Sequence, residues 1–261
     1  MDWLQALVLG IVQGLTEFLP VSSSGHLQIF GALFDVDAGD NLTFAVVVHA
    51  ATVCSTIVVF WPELAALFRG CCRSWHGEEM NYVWKIALSM IPVAIVGLFF
   101  KERVEELFSS GLVLVGSMLL VTAVLLAFAC RARSMGRRIR YLDAFIIGLA
   151  QACAVFPGLS RSGATIATGL LLKIKRESVA RFSFLMVLVP ILGEALLDLL
   201  KGEFSASASG IPVVALLAGF AGAFVSGVFA CRWMIDLVKR GRLIWFAAYC
   251  VLVGVLSIVL G

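Results

Sequence analysis

Gln13-Gly14-Leu15-Thr16-Glu17-Phe18-Leu19-Pro20-Val21-Ser22-Ser23-Ser24-Gly25-His26 breaks an apolar run with a proline, three serines, a glycine, a carboxylate and an imidazole. A second break follows at a constant offset. Gly10, Gln13, Ser22, Ser24 and Gly25 recur as Gly148, Gln151, Ser160, Ser162 and Gly163, 138 positions later, around Phe156-Pro157-Gly158-Leu159-Ser160-Arg161-Ser162-Gly163. Self-similarity at a long fixed period marks a repeated architecture. Each copy has a long apolar arm, the break, and a second arm of about ten residues, which as a helix covers only about half of a hydrocarbon core about 30 Å thick. Each motif therefore reads as a re-entrant helical hairpin that returns to the side it came from.

The rest of the chain supplies the membrane around these hairpins. Of 261 residues, 61% are hydrophobic and 14% charged, against about a quarter charged in soluble domains. Apolar runs at 42–60, 83–100 and 112–130 follow the first hairpin, and runs at 183–200, 211–231 and 243–260 follow the second. The expected fold is an all-α polytopic membrane protein with six full transmembrane helices and two re-entrant helical hairpins. It is a single membrane domain over 1–261, with repeat one at about 1–138 and repeat two at about 139–261. An odd number of spans separates the copies, so the repeat has inverted topology, the arrangement in which broken helices meet near the midplane.

Charge supports returning hairpins. In that arrangement one face gathers Arg69, Arg73, the Arg131 to Arg140 cluster, Lys173 to Arg181, Arg232 and Lys239 to Arg242. The other keeps Lys101, Arg103 and Lys201 beside Asp35, Asp37 and Asp40. Spanning hairpins would even out the bias. The basic face is then cytoplasmic, both termini are outside, and Trp61, Trp84, Trp233 and Trp245 fall near cytoplasmic ends of spans. Asp2 stands where a secretory signal carries a cation, so the first apolar stretch reads as part of the mature protein. Seven cysteines with no ligand spacing indicate neither a disulfide framework nor a zinc site. A net charge of +3 without a basic-aromatic run gives no sign of nucleic-acid binding.

The breaks carry the chemistry. Gln13 and Glu17 are four residues apart and share a helical face, and a carboxylate at that depth marks a functional site by default. Ser22, Ser23, Ser24 and Gly25 offer hydroxyls and orientable N–H groups, the components of an anion nest. A short helix starting at Gly25 would add its positive end. Ser160, Ser162, Gly163 and Thr165 repeat the pattern. Arg161 falls inside the membrane, where its planar fork suits phosphate oxygens. One acid, one imidazole (His26), one guanidinium and several hydroxyls point to phosphate chemistry. His49 reads as a packing or gating residue rather than a ligand. Glu194 and Asp198, spaced i, i+4, either face the cavity or pair near the interface. The Arg131 to Arg140 cluster reads as a loop facing lipid headgroups.

Gln13-Gly14-Leu15-Thr16-Glu17 through His26, with Pro157-Gly158-Leu159-Ser160-Arg161-Ser162-Gly163, resembles the two signature motifs of the undecaprenyl-diphosphate phosphatase family, also called bacitracin-resistance proteins. The resemblance extends to Asp143-Ala144 and to Ala180-Arg181-Phe182-Ser183-Phe184-Leu185 and covers essentially the whole chain. It implies hydrolysis of undecaprenyl diphosphate to the monophosphate in the bacterial inner membrane, recycling the lipid carrier of cell-wall synthesis, with Mg²⁺ or Ca²⁺ as cofactor. Glu17, Ser23, His26 and Arg161 match the family's catalytic positions. The acidic motif can begin with Glu, and Gln13 stands there instead, so a metal on Glu17 and Gln13 would have one anionic ligand fewer. In the mechanism this implies, Arg161, Ser22, Ser162 and Thr165 hold the diphosphate, Ser23 or a water attacks, and His26 transfers the proton. The site is expected to open to the periplasmic side, the polyprenyl chain to leave sideways into lipid, and a homodimer is compatible with the sequence. The rival reading is a carrier on the same inverted-repeat scaffold, a prenyl-phosphate flippase or small-anion transporter.

Overall fold

The computed structural model describes residues 1–34, 36, 38–108, 111–132, 135–201 and 211–260, with side chains described except at 38–43, 101, 105, 108 and 194–201. Asp35, Asp37 and Arg133, and the side chains of Asp40, Lys101, Glu194, Asp198 and Lys201, lie outside the described residues. The described residues form helices and one isolated bridge between Arg137 and Ile174. In chain order the helices are α1 (Trp3–Phe18), α2 (Ser23–Leu33), α3 (Ala38–Val59), α4 (Trp61–Arg73), α5 (Glu78–Phe99), α6 (Lys101–Phe108), α7 (Leu112–Arg131), α8 (Tyr141–Cys153), α9 (Arg161–Leu171), α10 (Arg176–Lys201), α11 (Val213–Arg240) and α12 (Ile244–Leu260).

Local chemistry sets the breaks. A capping box starts α1, in which Asp2 accepts from the Gln5 N–H at 2.7 Å and Gln5 Oε1 accepts from the Asp2 N–H at 2.9 Å, satisfying two donors that a helix end leaves open. Leu19 then turns extended, as expected before a proline. Ser22 takes φ 68° and caps α2 by accepting from the Gly25 N–H. In the second copy Ser160 caps α9 by accepting from the Gly163 N–H at 3.1 Å. Gly158 has φ +91°, and a Cβ there would run into the Val115 backbone, so glycine is required twice over. Both short helices are 11 residues long.

Among the described residues, α5, α7 and α11 are each long and apolar enough to cross a membrane, and α3 with α4 makes a further candidate pair bent by 73°. The span expected at 42–60 corresponds to α3, one continuous helix over Ala38–Val59, and the bend comes at its end. The chain turns at Phe60, and Pro62 opens α4, a helix with no buried residue that exposes Trp61 and Phe68 beside Arg69 and Arg73. α12, at 17 residues, is shorter but more apolar than the others. Leu98, Phe128, Phe229 and Leu252 all face outward. Apolar exposure on this scale fits a lipid exterior rather than water. The four tryptophans expected at an interface are exposed as well.

Packing crosses between the two halves. The long arm α1 lies on α11 and the long arm α8 lies on α5, while α7 pairs with α12 and α3 meets α10. Glycines permit the closest approaches. A Cβ on Gly10 would overlap the Gly219 backbone, and one on Gly148 would overlap the Ser89 backbone. Gly116 and Gly254, themselves 138 apart, abut each other's carbonyls where α7 meets α12. Equivalent polar staples close each hairpin. Gln5 Nε2 donates to the Phe34 carbonyl at 3.4 Å. In the second half Arg137 donates to the Leu172 carbonyl at 3.0 Å and to Asp143, which occupies the position equivalent to Gln5, at 2.8 Å. Arg137 is therefore not simply a headgroup-facing residue of the basic loop. It ties that loop to the hairpin.

Candidate active site

α1 delivers Gln13 and Glu17 on one face one turn apart, and α2 and α9 begin where the two breaks end. Ser23 and Arg161, also 138 apart, are each the first residue of their short helix. Their side chains converge on one carboxylate. Glu17 Oε1 accepts from an Arg161 Nη at 3.0 Å. Glu17 Oε2 accepts from Ser23 Oγ at 2.6 Å and from Gln13 Nε2 at 3.0 Å. The Glu17 side chain is only 6% exposed, so its charge relies on these donors rather than on water. His49 of α3 brings Nε2 to 3.8 Å from Glu17 Oε2, and its Nδ1 lies 2.7 Å from the Ala45 carbonyl.

A cavity opens from this cluster. It is lined by the polar side chains of Glu17, Arg161, Ser162, Thr165, Thr52, Thr56 and Ser183 together with the apolar ones of Phe18, Val53, Phe184, Val187, Leu188 and Ile191. Phe184 packs against both Phe18 and Phe60, with centroids 5.8 and 6.0 Å apart. The Ser183 hydroxyl is buried without a hydrogen-bond partner, an uncommon condition for a buried polar group.

The other expected residues divide by position. Ser162 Oγ donates to the Leu19 carbonyl at 3.1 Å, joining the second break to the first. Thr165 Oγ1 donates back to the Arg161 carbonyl at 2.9 Å. Ser22 and Ser24 lie 3.3 Å apart through their hydroxyls, as do Ser160 and Ser162. The N–H groups of Gly25 and Gly163 are taken up by the serine caps, which modifies their expected part in an anion nest. A Cβ on Gly25 would press on Val115 and Gly158, so this glycine serves close packing. The His26 ring reaches Ser22 and Tyr249 rather than Glu17.

Sequence reasoning passed over Thr52 and Thr56, read His49 as a packing or gating residue, and gave Ser183 no place in the site. Polar spacing of i, i+3 and i+7 along an otherwise apolar span, as in His49, Thr52 and Thr56, was the available signal, since it lines up one helical face.

A divalent cation can be tested against this donor set. Among the described residues no group of three or more His, Cys, Asp or Glu side chains forms a ready-made site. Gln13 Oε1, however, is buried without a partner beside Glu17. A carboxylate, an amide oxygen and a hydroxyl are hard oxygen donors of the kind Mg²⁺ and Ca²⁺ take, and Mg²⁺ commonly binds through one or two carboxylates plus substrate phosphates. The residues fit such an ion.

A family model described as "Bacitracin resistance protein BacA" matches residues 6–256. A protein named undecaprenyl-diphosphatase from Bacteroides fragilis is 57% identical over 263 residues, covering 99% of this chain and 98% of the relative. Proteins of the same name from Parabacteroides distasonis and Christiangramia forsetii are 57% and 48% identical, each alignment covering 99% of this chain and 98% of the relative. A match along nearly its whole length, on a scaffold with membrane-spanning helices and a lipid-type exterior, makes this chain a multi-pass membrane protein that belongs to the bacitracin resistance protein BacA family.

Proposed function

We propose that the protein removes the terminal phosphate of undecaprenyl diphosphate, giving undecaprenyl phosphate and inorganic phosphate. One observation carries this beyond the family name. The two breaks bring an acid, a hydroxyl and a guanidinium within direct hydrogen-bond reach, and the acid and the guanidinium line a cavity that also carries apolar side chains. A diphosphate attached to a prenyl chain calls for both kinds of group.

The residues have separable tasks. Arg161 binds the terminal phosphoryl oxygens with its fork as the substrate competes for the guanidinium now held by Glu17. Ser162 and Thr165 border the same position. The nucleophile is Ser23 or a water, with Glu17 the adjacent acceptor for its proton. Attack at the terminal phosphorus breaks its bond to the bridging oxygen, which departs with the prenyl monophosphate; where Ser23 attacks, water then cleaves the bond between Ser23 Oγ and phosphorus to release inorganic phosphate. His26 is the further proton-transfer group. Positioning and charge stabilisation supply most of the catalysis in phosphoryl transfer. Mg²⁺ or Ca²⁺ would be held by Glu17 and Gln13, where it would neutralise charge on the diphosphate. The isoprene units nearest the phosphates would lie along Phe184, Val187, Leu188 and Ile191.

We also propose the finer topology: an inverted repeat of six spans and two re-entrant hairpins, with both termini outside and the site open toward the periplasmic face. The 11-residue second arms, the crossed packing of the halves and the mutual contact of Gly116 and Gly254 support it. The same scaffold would suit a flippase or an anion carrier. Purified protein assayed for phosphate release from undecaprenyl diphosphate, with and without chelator, beside liposome flux, separates these readings. Release without flux is expected, and flux without release would reject the hydrolase.

A further inference from the structure

His26 is fixed at both ring nitrogens. Nδ1 lies 2.8 Å from the Ser22 carbonyl oxygen. A carbonyl only accepts, so Nδ1 carries hydrogen and Nε2 of the neutral ring presents a lone pair. The Tyr249 hydroxyl lies 2.8 Å from Nε2 and is therefore the donor in that state. The two rings are also stacked, with centroids 5.6 Å apart and planes 12° from parallel. His26 is buried at 2% exposure, whereas Tyr249 is 41% exposed. Tyr249 belongs to α12, so the hydroxyl reaches the imidazole from the opposite half of the chain.

We propose that Tyr249 is a positioning residue for His26, holding the imidazole in one orientation through both protonation states of the reaction. This rests on the reading of His26 as a proton-transfer group. A phenol both donates and accepts. With the ring neutral, Tyr249 O–H donates to Nε2. When the Tyr249 hydroxyl passes its own hydrogen to Nε2 and takes the proton released by the reaction on its oxygen, Nε2 becomes the donor and the phenol oxygen accepts from it. The contact survives the proton transfer without movement of either ring, and no bond other than O–H and N–H changes. The Ser22 carbonyl serves Nδ1–H equally well in both states. Hydrogen-bond partners on the ring nitrogens orient an imidazole and determine which nitrogen is available. The tyrosine touches no phosphorus, and its effect passes wholly through His26.

The test uses full-length purified protein, with Tyr249→Phe, His26→Gln and the double variant compared for phosphate release from undecaprenyl diphosphate. Tyr249→Phe retains the ring and removes only the hydroxyl. Its kcat is expected to fall about tenfold, a fraction of the 10²–10⁴ that a proton-transfer group commonly supplies, with KM within about twofold. In the His26→Gln background the same change should cost nothing further, because the pathway through the imidazole is already gone. A ¹⁵N-histidine spectrum gives an independent readout. The chain has 3 histidines, and the His26 signals are those lost in His26→Gln. In Tyr249→Phe the Nε2 resonance should move toward that of a bare lone pair while Nδ1 keeps its hydrogen.

Wild-type kcat in Tyr249→Phe, with His26→Gln crippled, overturns the proposal alone. An undiminished loss in the double variant overturns it too, by showing that Tyr249 acts elsewhere. Wild-type kcat in His26→Gln removes His26 from the reaction and this proposal with it. If Tyr249→Phe loses activity through instability, an Nε2 resonance that has not moved still overturns the assignment.

Discussion

Arg161 donates to Glu17 Oε1 across 3.0 Å, joining two side chains 144 residues apart in sequence. Neither has a second opposite charge in direct hydrogen-bond contact among the described residues. In the proposed reaction, binding a diphosphate would replace one anionic partner of Arg161 with another. Arg161→Lys keeps the charge and loses the planar fork. Turnover should fall at least about tenfold, equivalent to about 1.4 kcal/mol of transition-state stabilisation. Phosphate release by a variant with an unchanged thermal melt measures this, and wild-type turnover would remove Arg161 from the site.

Glu17→Gln removes the carboxylate on which Ser23, Gln13 and Arg161 converge. Metal-dependent hydrolysis should be abolished. Gln13→Glu places a second carboxylate one turn away, tolerable in a buried site only with a cation between the two. That variant should retain some activity and reach half-activity at a lower metal concentration. Titration of both with Mg²⁺ and Ca²⁺ decides the matter. Normal metal-dependent activity in Glu17→Gln would show that the acid is misassigned.

His49 is the clearest gain over the sequence. Its Nε2 lies 3.8 Å from Glu17 Oε2, close enough to influence the carboxylate although too long for a hydrogen bond. His49→Leu should lower kcat/KM at least about threefold through the altered electrostatics of Glu17. Unchanged kinetics would restore the packing role that its place in an apolar span suggests.

Gly116 tests the packing that holds the halves together. Gly116→Val would push Cβ into the Gly254 carbonyl and Ile258, and overpacking of this sort costs about 1–3 kcal/mol. The melting temperature in detergent should drop by several degrees. Gly97→Ala is the control, because a Cβ there meets nothing within 4 Å and replacing a glycine in the last turn of α5 costs no packing and gains at most about 0.5–1 kcal/mol. Equal melts for the two variants would deny the α7–α12 contact.

Topology can be read by thiol labelling in a background lacking native cysteines, since Cys72 and Cys153 are exposed. A cysteine at Asp37 should react with an impermeant reagent in intact cells. One at Arg138, whose side chain is 88% exposed, should react only after permeabilisation. Outside labelling of both would reject the inverted arrangement.

The sequence made the short arms legible because a proline and a serine cap stop one helix and start the next whatever surrounds them. It made Glu17 and Arg161 legible because charges buried in apolar runs require partners. It did not reveal that the Gly25 and Gly163 N–H groups close serine caps, because a Gly-Ser cluster reads alike as anion nest and helix start. The bend at Phe60 was also hidden, since the apolar run stops there and Pro62-Glu63 reads as the ordinary end of a span rather than as the start of another helix. The Tyr249 contact depends on how α12 packs against the rest, which no local pattern encodes.

Ser23 and Arg161 occupy the same slot, each the first residue of its short helix, and the counterpart of Glu17, 138 positions on, is Val155. Two identical halves would bring duplicate groups to the shared centre, two acids with two serines or two arginines with none, and neither set forms the ion pair seen here. Carrying both copies on one polypeptide frees each to specialise and fixes their ratio at one to one. Every folded chain then brings one carboxylate and one anion-binding fork to the shared centre, without depending on the chance meeting of unlike subunits in the bilayer.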